Sequence, residues 1–405
     1  MKSSSPTITA YKHWLGSNEL LDSLRANAPE FSEIRRDLHR HPELGLAEHR
    51  TSQLVAKLLS SWGYDVHLGL ATTGVVATLH RGSGNKRLGL RADMDALPIQ
   101  ETSGQTWASV HEGVMHACGH DGHTTMLLAA AHHLAERGEF SGTLHLIFQP
   151  AEEHPGGAKL MVDQGLFDKF PCDAVYAMHN MPGIVQGRLM FREGPAMASS
   201  DDVTVTLHGP GGHAASPHRT ADPIVAAAAI VTALQTIVSR NVDPQQAAVV
   251  TVGAFHAGSA NNVIPKVARL ELSVRALEPG VRDLLEQLIH TVVQGQAASF
   301  GVRAVVDYRR DYPVLVNSKR ETEFARAVGA ELLGEDGIER QGPAIMGSED
   351  FAVMLQQRPG SYVLIGNGTG DGSCMLHNAD YDFNDDNLHV GAAFWVRLTE
   401  RFLCN

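Results

Sequence analysis

Thr143-Leu144-His145-Leu146-Ile147-Phe148-Gln149-Pro150-Ala151-Glu152-Glu153 is a run of strand formers stopped by a proline and followed at once by two carboxylates. Ahead of it, His123 to Arg137 has helical periodicity. Behind it come a Gly156-Gly157 break, a helical spacing near Ala158 to Gln164, and another strand-like run, Asp173 to His179. Gly74 to His80 and Arg87 to Asp93 read as further strands, and Thr51 to Trp62 as a further helix. Strands alternating with helices are α/β wiring. Polar residues recur where these strands finish: Asp93, then Glu152 and Glu153, then His179. Ligands bind at the carboxyl ends of strands in open α/β sheets, so these residues are expected to converge.

His116-Ala117-Cys118-Gly119-His120-Asp121 packs a thiol, two imidazoles and a carboxylate into six residues. That density of soft and borderline donors suits a transition metal. With Glu152-Glu153, His179 and the distant His377 it can furnish the ligands and the base of a hydrolytic metal centre. Two motifs are rejected. His111 and His116 are five apart, whereas a zincin helix needs four, and the glycines of 366–372 open no helix, so they suit a loop delivering His377 better than a nucleotide cradle.

The chain has 405 residues, 43% hydrophobic and 19% charged, which predicts a folded protein of two domains. A net charge of -12 without a basic block argues against nucleic acid or an anionic membrane as partner. Met1 to Leu15 lacks a secretory signal, and the apolar stretch Ile224 to Leu234 is too short to span a bilayer, so a cytoplasmic location is expected. Cys118, Cys172, Cys374 and Cys404 are scattered and predict no disulfide framework. Away from donor-rich surroundings a cysteine reads as a small buried hydrophobe. The remaining histidines, His39, His41, His132 and His133 among them, read as structural or surface groups.

Around Glu193 the pattern changes. Strands are expected at Val203 to His208, Ala247 to Ala254, Val267 to Arg275 and Val302 to Asp307, and helices at Asp222 to Arg240 and Pro279 to Phe300. This is a split βαβ unit of α+β type. A helix at Glu321 to Leu333, a strand at Tyr362 to Ile365 and a helix at Asp386 to Phe402 then resume the first style. The expectation is a discontinuous catalytic domain, 1–193 with 308–405, interrupted by a smaller domain, 194–307.

Seven ordered motifs carry a resemblance: Leu38 to Gly45 (LHRHPELG), Arg91 to Pro98 (RADMDALP), His116 to His123, Gln149 to Glu153 (QPAEE), Gly211 to Pro217 (GGHAASP), Asn262 to Pro265 (NVIP) and Gly347 to Phe351 (GSEDF). Together they resemble the M20 metallopeptidase family, in the amidohydrolase branch that includes hippurate hydrolases, N-acyl amino acid amidohydrolases and auxin-conjugate hydrolases. The resemblance implies a zinc-exopeptidase-like catalytic domain with an inserted ferredoxin-like lid and dimerisation domain. It further implies two divalent metal ions held by Cys118, His120, Glu153, His179 and His377, with Cys118 as the bridge. Other members of the broader family have a bridging Asp where this chain has Cys118, which leaves zinc and manganese both open, with cobalt or nickel as substitutes. Cys118 and His120 can share a site only where the backbone turns irregularly, which Gly119 permits.

Glu152 is the expected general base, on the reasoning that neighbours in an extended segment face opposite ways, so that Glu153 ligates while Glu152 faces the attacking water. Asp93 is expected to orient a ligand imidazole. His213 resembles a histidine that stabilises the tetrahedral oxyanion across a homodimer, and Asn262 and Arg275 match positions that engage a substrate carboxylate. The implied activity is metal-dependent hydrolysis of an N-acyl or N-aroyl amino acid. The alternatives are a dipeptidase or aminopeptidase, and a non-catalytic metal-binding protein.

Overall fold

The computed structural model describes residues 15–369 and 374–404. In chain order it begins with α1 (Ser17–Arg40), α2 (His49–Ser61), β1 (Asp65–Leu70), β2 (Gly74–Arg81), β3 (Arg87–Asp93), α3 (His120–Arg137), β4 (Gly142–Gln149), α4 (Gly157–Asp163), α5 (Leu166–Lys169), β5 (Ala174–Pro182) and β6 (Leu189–Met190). There follow β7 (Gly194–Met197), β8 (Asp201–His208), β9 (Gly212–His213), α6 (Pro223–Arg240), β10 (Ala248–Ala257), β11 (Val263–Ile264), β12 (Val267–Ala276), α7 (Pro279–Ser299), β13 (Arg303–Arg310) and β14 (Leu315–Asn317). The chain closes with α8 (Lys319–Leu333), β15 (Ile338–Glu339), α9 (Phe351–Gln357), β16 (Gly360–Gly368) and α10 (Leu388–Phe402).

Contacts divide the chain into two units. The first comprises the described parts of Met1–Phe191, Arg320–Gln341 and Arg358–Asn405, the second Arg192–Lys319 with Gly342–Gln357. The second is therefore wider than 194–307. Strand β14 belongs to it because it pairs with β7, and α9 because it packs on β14.

The first unit is built on a sheet of order β1-β2-β4-β3-β5-β16-β6-β15. Its centre, β4, β3, β5 and β16, is parallel. Those strands are buried almost throughout, as expected of parallel strands covered on both faces. Helix α3 begins at His120 rather than His123, which puts the second half of the Cys118 motif in its first turn. Every residue from His120 to Ala131 is buried, so no polar face marks where the helix starts. Helix α10 packs closely on α3: a Cβ at Gly391 would lie 2.1 Å from Met126 Sδ. The longest element beyond the sequence-based expectation is α1, and β1 and several short strands and helices go beyond it too. In α1 the stripe Leu20, Leu24, Phe31, Arg35 and Leu38 is buried, but Pro29 and many charges interrupt it.

The second unit holds a sheet of order β10-β12-β8-β13, antiparallel at every step, with α6 and α7 packed on one face. This is the ferredoxin-like arrangement. Helix α6 is longer than the apolar stretch 224–234. Its 18 residues have a mean hydropathy of 1.5, and by length and composition it suffices to cross a membrane. Ala226, Ala227, Ile230, Leu234 and Ile237 are buried in this unit's core, whereas Ile224 and Val225 are exposed.

Candidate metal centre

Gly119 sets the geometry of the motif around it. It precedes α3 with φ of 91°, a left-handed conformation that favours glycine, and a Cβ there would meet Asn180 Nδ2 at 2.3 Å and the Tyr381 hydroxyl at 2.5 Å. The resulting kink lets Cys118 and His120 serve one place. His120 Nδ1 lies 2.9 Å from the Asp95 carbonyl and 3.2 Å from Asp95 Oδ1, which makes Nδ1 the donor. Its Nε2, fully buried, makes no hydrogen bond among the described residues and is the nitrogen that would face a metal, which would displace its proton. His179, in β5, gives its Nδ1 hydrogen to the Asn180 carbonyl at 2.6 Å, and its Nε2 stands 3.3 Å from Cys118 Sγ.

The two carboxylates come from the turn after β4. Their backbone is not extended, so the expected opposite facing does not apply. One oxygen of each lies within 4.8 Å of a His120 nitrogen and of the other. Asp95 Oδ2 accepts the Glu153 N–H at 3.0 Å. His377 is brought in by its backbone, whose N–H donates to the Ala117 carbonyl at 2.8 Å, and it adopts φ of 64°, unusual for a residue with a side chain. Its Nε2 lies 3.0 Å from Glu153 Oε1. The glycines 370–372 of the loop expected to deliver it lie outside the described residues.

Two donor groups result, each within 4.8 Å: Cys118 with His120 and His179, and Cys118 with Glu153 and His377. The sulfur belongs to both. All five expected ligands are thus brought together.

Asp93 does not serve a ligand imidazole in the expected way. Its Oδ1 is 2.7 Å from His123 Nδ1 and its Oδ2 is 2.7 Å from Arg91 Nη1, whereas His120 Nε2 is 3.9 Å away. Asp95 is the residue that holds His120. His123 in turn accepts the Asn180 N–H on Nε2 at 2.9 Å, so its proton sits on Nδ1. Asn180 also donates to the Cys118 carbonyl at 2.7 Å and accepts from the Tyr381 hydroxyl at 2.6 Å. Asp95, His123, Asn180 and Tyr381 were not singled out by sequence reasoning. Only Asp95 carried a usable signal, two residues beyond Asp93 at a strand end.

The electrostatics suit a cation. Burial, followed by Glu153, Glu152 and Asp93, pushes the Cys118 thiol well above the usual thiol range. Burial and then the neighbouring His123 hold His179 neutral, well below its ordinary value. At His120 burial opposes charge, but Asp93, Asp95 and Glu153 outweigh it and push the imidazole up to about 10. A thiol, three imidazoles and a carboxylate in an electronegative pocket, buried at Cys118, His120 and His179 and exposed at His377, fit a divalent transition metal, whose charge would turn the thiol into a thiolate and relieve the crowding of carboxylates.

The remaining expected residues lie in the second unit. His213 pairs with Val263 across the short β9–β11 ladder, and the Ala214 N–H donates to the Asn262 carbonyl at 3.1 Å, so His213 and Asn262 are neighbours. Both are exposed. His213 Nδ1 accepts the Ala215 N–H at 3.0 Å. Arg275, near the end of β12, donates from Nη1 to Ser348 Oγ at 2.7 Å.

The profile of Peptidase family M20/M25/M40 matches residues 89–401. The chain is 44% identical to the hippurate hydrolase of Campylobacter jejuni over 92% of this chain and 97% of that one. It is 39% identical to the N-acetyl-L-cysteine deacetylase of Bacillus subtilis, over 91% and 87% of the two chains. Among solved structures it is similar to the Bacillus subtilis YXEP protein, described as a dinuclear metal binding peptidase from the M20 family, with a TM-score of 0.81, 31% identity, and coverage of 94% and 99%.

Proposed function

The chain belongs to peptidase family M20/M25/M40, in its amidohydrolase branch, and we infer that it hydrolyses the amide bond of N-acyl amino acids to a carboxylic acid and a free amino acid. The observation that carries this is the sharing of Cys118 between the His120–His179 and Glu153–His377 groups. We read the double group as a place for two divalent ions per chain, which Cys118, His120, Glu153, His179 and His377 would hold, with zinc favoured by the thiolate and imidazoles and manganese by the carboxylate. When bound, such ions polarise a carbonyl and acidify a water.

The protein's own groups do the rest. Asp95 aims His120, and the Asn180 carbonyl aims His179. Glu152, 6% exposed, takes the proton of the attacking water and returns it to the leaving nitrogen, which needs a shielded carboxylate at that position. Further proposals concern the second unit. Asn262 and Arg275 would hold the substrate carboxylate, Arg275 with the part of its fork not engaged by Ser348. His213, exposed and tethered through Nδ1, would present Nε2 to the oxyanion of a second copy in a homodimer. Supporting a dimer, β10 is an edge strand carrying the exposed Phe255, and α6 carries the exposed Ile224 and Val225. A cytoplasmic location accords with four cysteines that form no disulfide among the described residues.

The test is a panel of acetyl, benzoyl, indoleacetyl and long-chain acyl amino acids, a C-terminal amide of one of them, and a free dipeptide. Each is offered to chelated protein and to protein reloaded with zinc or manganese. Metal-dependent release of acid from the N-acyl amino acids is expected, with the C-terminal amide a poor substrate and Arg275→Ala blind to the difference. Cleavage of the dipeptide alone would overturn the assignment.

A further inference from the structure

At the amino ends of β3 and β5, away from Asp93 and His179, the first unit has a solvent-open cavity of about 580 Å³. Three aromatic rings form its apolar lining. Phe324 and Phe402 meet edge to face with centroids 5.8 Å apart, and Tyr176 lies 6.4 Å from each. Tyr176 is fully buried, and its hydroxyl has no hydrogen-bond partner among the described residues. A buried phenol normally finds a partner, because an unmade hydrogen bond in a dry site is costly. Burial and the nearby Glu321 carboxylate raise its pKa far above the usual phenol range, so it remains a donor. Arg320 is the cation within its electrostatic reach.

The rim favours negative charge. Its acids are already engaged: Asp173 Oδ2 takes the Arg87 N–H at 2.7 Å, and Glu321 Oε1 takes Arg320 Nε at 2.9 Å. The Arg320 side chain is 83% exposed, and its Nη groups bond no described residue. Lys86 Nζ, also on the rim, donates to the Cys404 carbonyl at 3.3 Å. A cavity of this size with an apolar lining and few polar groups has the character of a small-molecule site. Its polar requirements are an acceptor for a phenol and a negative charge for a guanidinium, and one carboxylate meets both.

We propose that this cavity binds a hydrophobic monocarboxylate, with its apolar body on Phe324 and Phe402 and its carboxylate shared by the Tyr176 hydroxyl and the Arg320 guanidinium. The site is separate from the metal cluster and independent of the reaction assigned there.

The probe is 4-fluorophenylacetate, titrated into metal-loaded protein and followed by fluorine NMR. The catalytic centre can also take a carboxylate, so the titration is repeated on Arg320→Glu, Tyr176→Phe, Phe324→Trp and, for the metal cluster, Glu153→Gln. A bound component should persist in Glu153→Gln, weaken by about tenfold or more in Arg320→Glu, weaken by several-fold in Tyr176→Phe, and vanish in Phe324→Trp. 4-Fluorophenylacetamide should bind that site about tenfold more weakly. Arg320→Glu, altered on an exposed side chain, should keep its melting temperature and its kcat/KM within about twofold. Tyr176→Phe should melt no lower than wild type, since the lost hydroxyl has no partner. Binding abolished by Glu153→Gln and untouched by Arg320→Glu and Phe324→Trp would overturn the proposal, as would equal affinity for acid and amide.

Discussion

Asp95 faces His120 with its backbone carbonyl at 2.9 Å and its Oδ1 at 3.2 Å, and the same carboxylate takes the Glu153 N–H on Oδ2 at 3.0 Å. One side chain therefore aligns an imidazole and a carboxylate that reach the cluster from different elements. Orientation of this kind presents the ligand lone pairs without a further loss of rotamer freedom when the ion binds.

Replacing Asp95 with Ala should weaken metal binding by roughly 10- to 100-fold while the chain stays folded. Competition with a coloured chelator measures it. Asp93→Asn should act differently, because Asp93 pairs with the buried Arg91 and with His123. It removes the charge that Arg91 and His123 meet on that carboxylate, so stability should fall by about 1–3 kcal/mol in a denaturant titration.

Glu152→Gln should keep its metal and lose turnover by about 10²- to 10⁴-fold, since proton transfer to and from the reacting atoms is removed. Glu153→Gln should lose metal occupancy first, because its carboxylate stands against His377 at 3.0 Å inside the ligand cluster. Elemental analysis of both variants beside their kcat separates the roles. The reverse pattern would exchange the two assignments.

Gly119→Ala should be damaging out of proportion to one methyl group. The new Cβ would press on Asn180 Nδ2 and the Tyr381 hydroxyl, at a φ of 91° that alanine disfavours. We expect a loss of about 1–3 kcal/mol in stability together with weaker metal binding, because Asn180 carries the Cys118 carbonyl. Asn180→Ala alone should reproduce the metal defect with less strain.

His39 predicts a pH effect. It lies buried with Nδ1 2.8 Å from Asp121 and Nε2 3.4 Å from Glu101. Burial opposes its charge, yet Asp121 and Glu101 outweigh burial and push the imidazole up to about 9. A folded pKa above the unfolded value means the folded state binds the proton more tightly. The stabilisation is complete below about pH 6.5 and is lost as pH rises through about 9, a swing on the order of 3 kcal/mol. Melting temperature measured from pH 6 to 10 should fall through that window in the wild type and flatten in His39→Gln.

Much of the fold was legible because its signals are local. The strands Arg87 to Asp93 and Thr143 to Gln149 are apolar runs ended by polar residues, and β3 and β4 occupy 87–93 and 142–149. The split βαβ order of the second unit followed from strand and helix periods alone. The start of α3 was not legible, because a helix buried on all sides has no amphipathic contrast. The role of Asp93 was misread for a different reason. Two carboxylates, Asp93 and Asp95, stand two residues apart, and nothing in their spacing says which meets His120.

By itself the sequence determined the chemical inventory: a thiol, imidazoles and carboxylates at strand ends and helix starts, in an order that resembles one family. Only the tertiary structure decided how they are wired. That His377 joins the cluster depends on a backbone hydrogen bond to Ala117, 260 residues earlier, and that His120 offers Nε2 depends on Asp95 occupying Nδ1. Side-chain identity is a property of each position, whereas a tautomer, a lone-pair direction and a shared sulfur arise from contacts between positions that meet only once the sheet has formed.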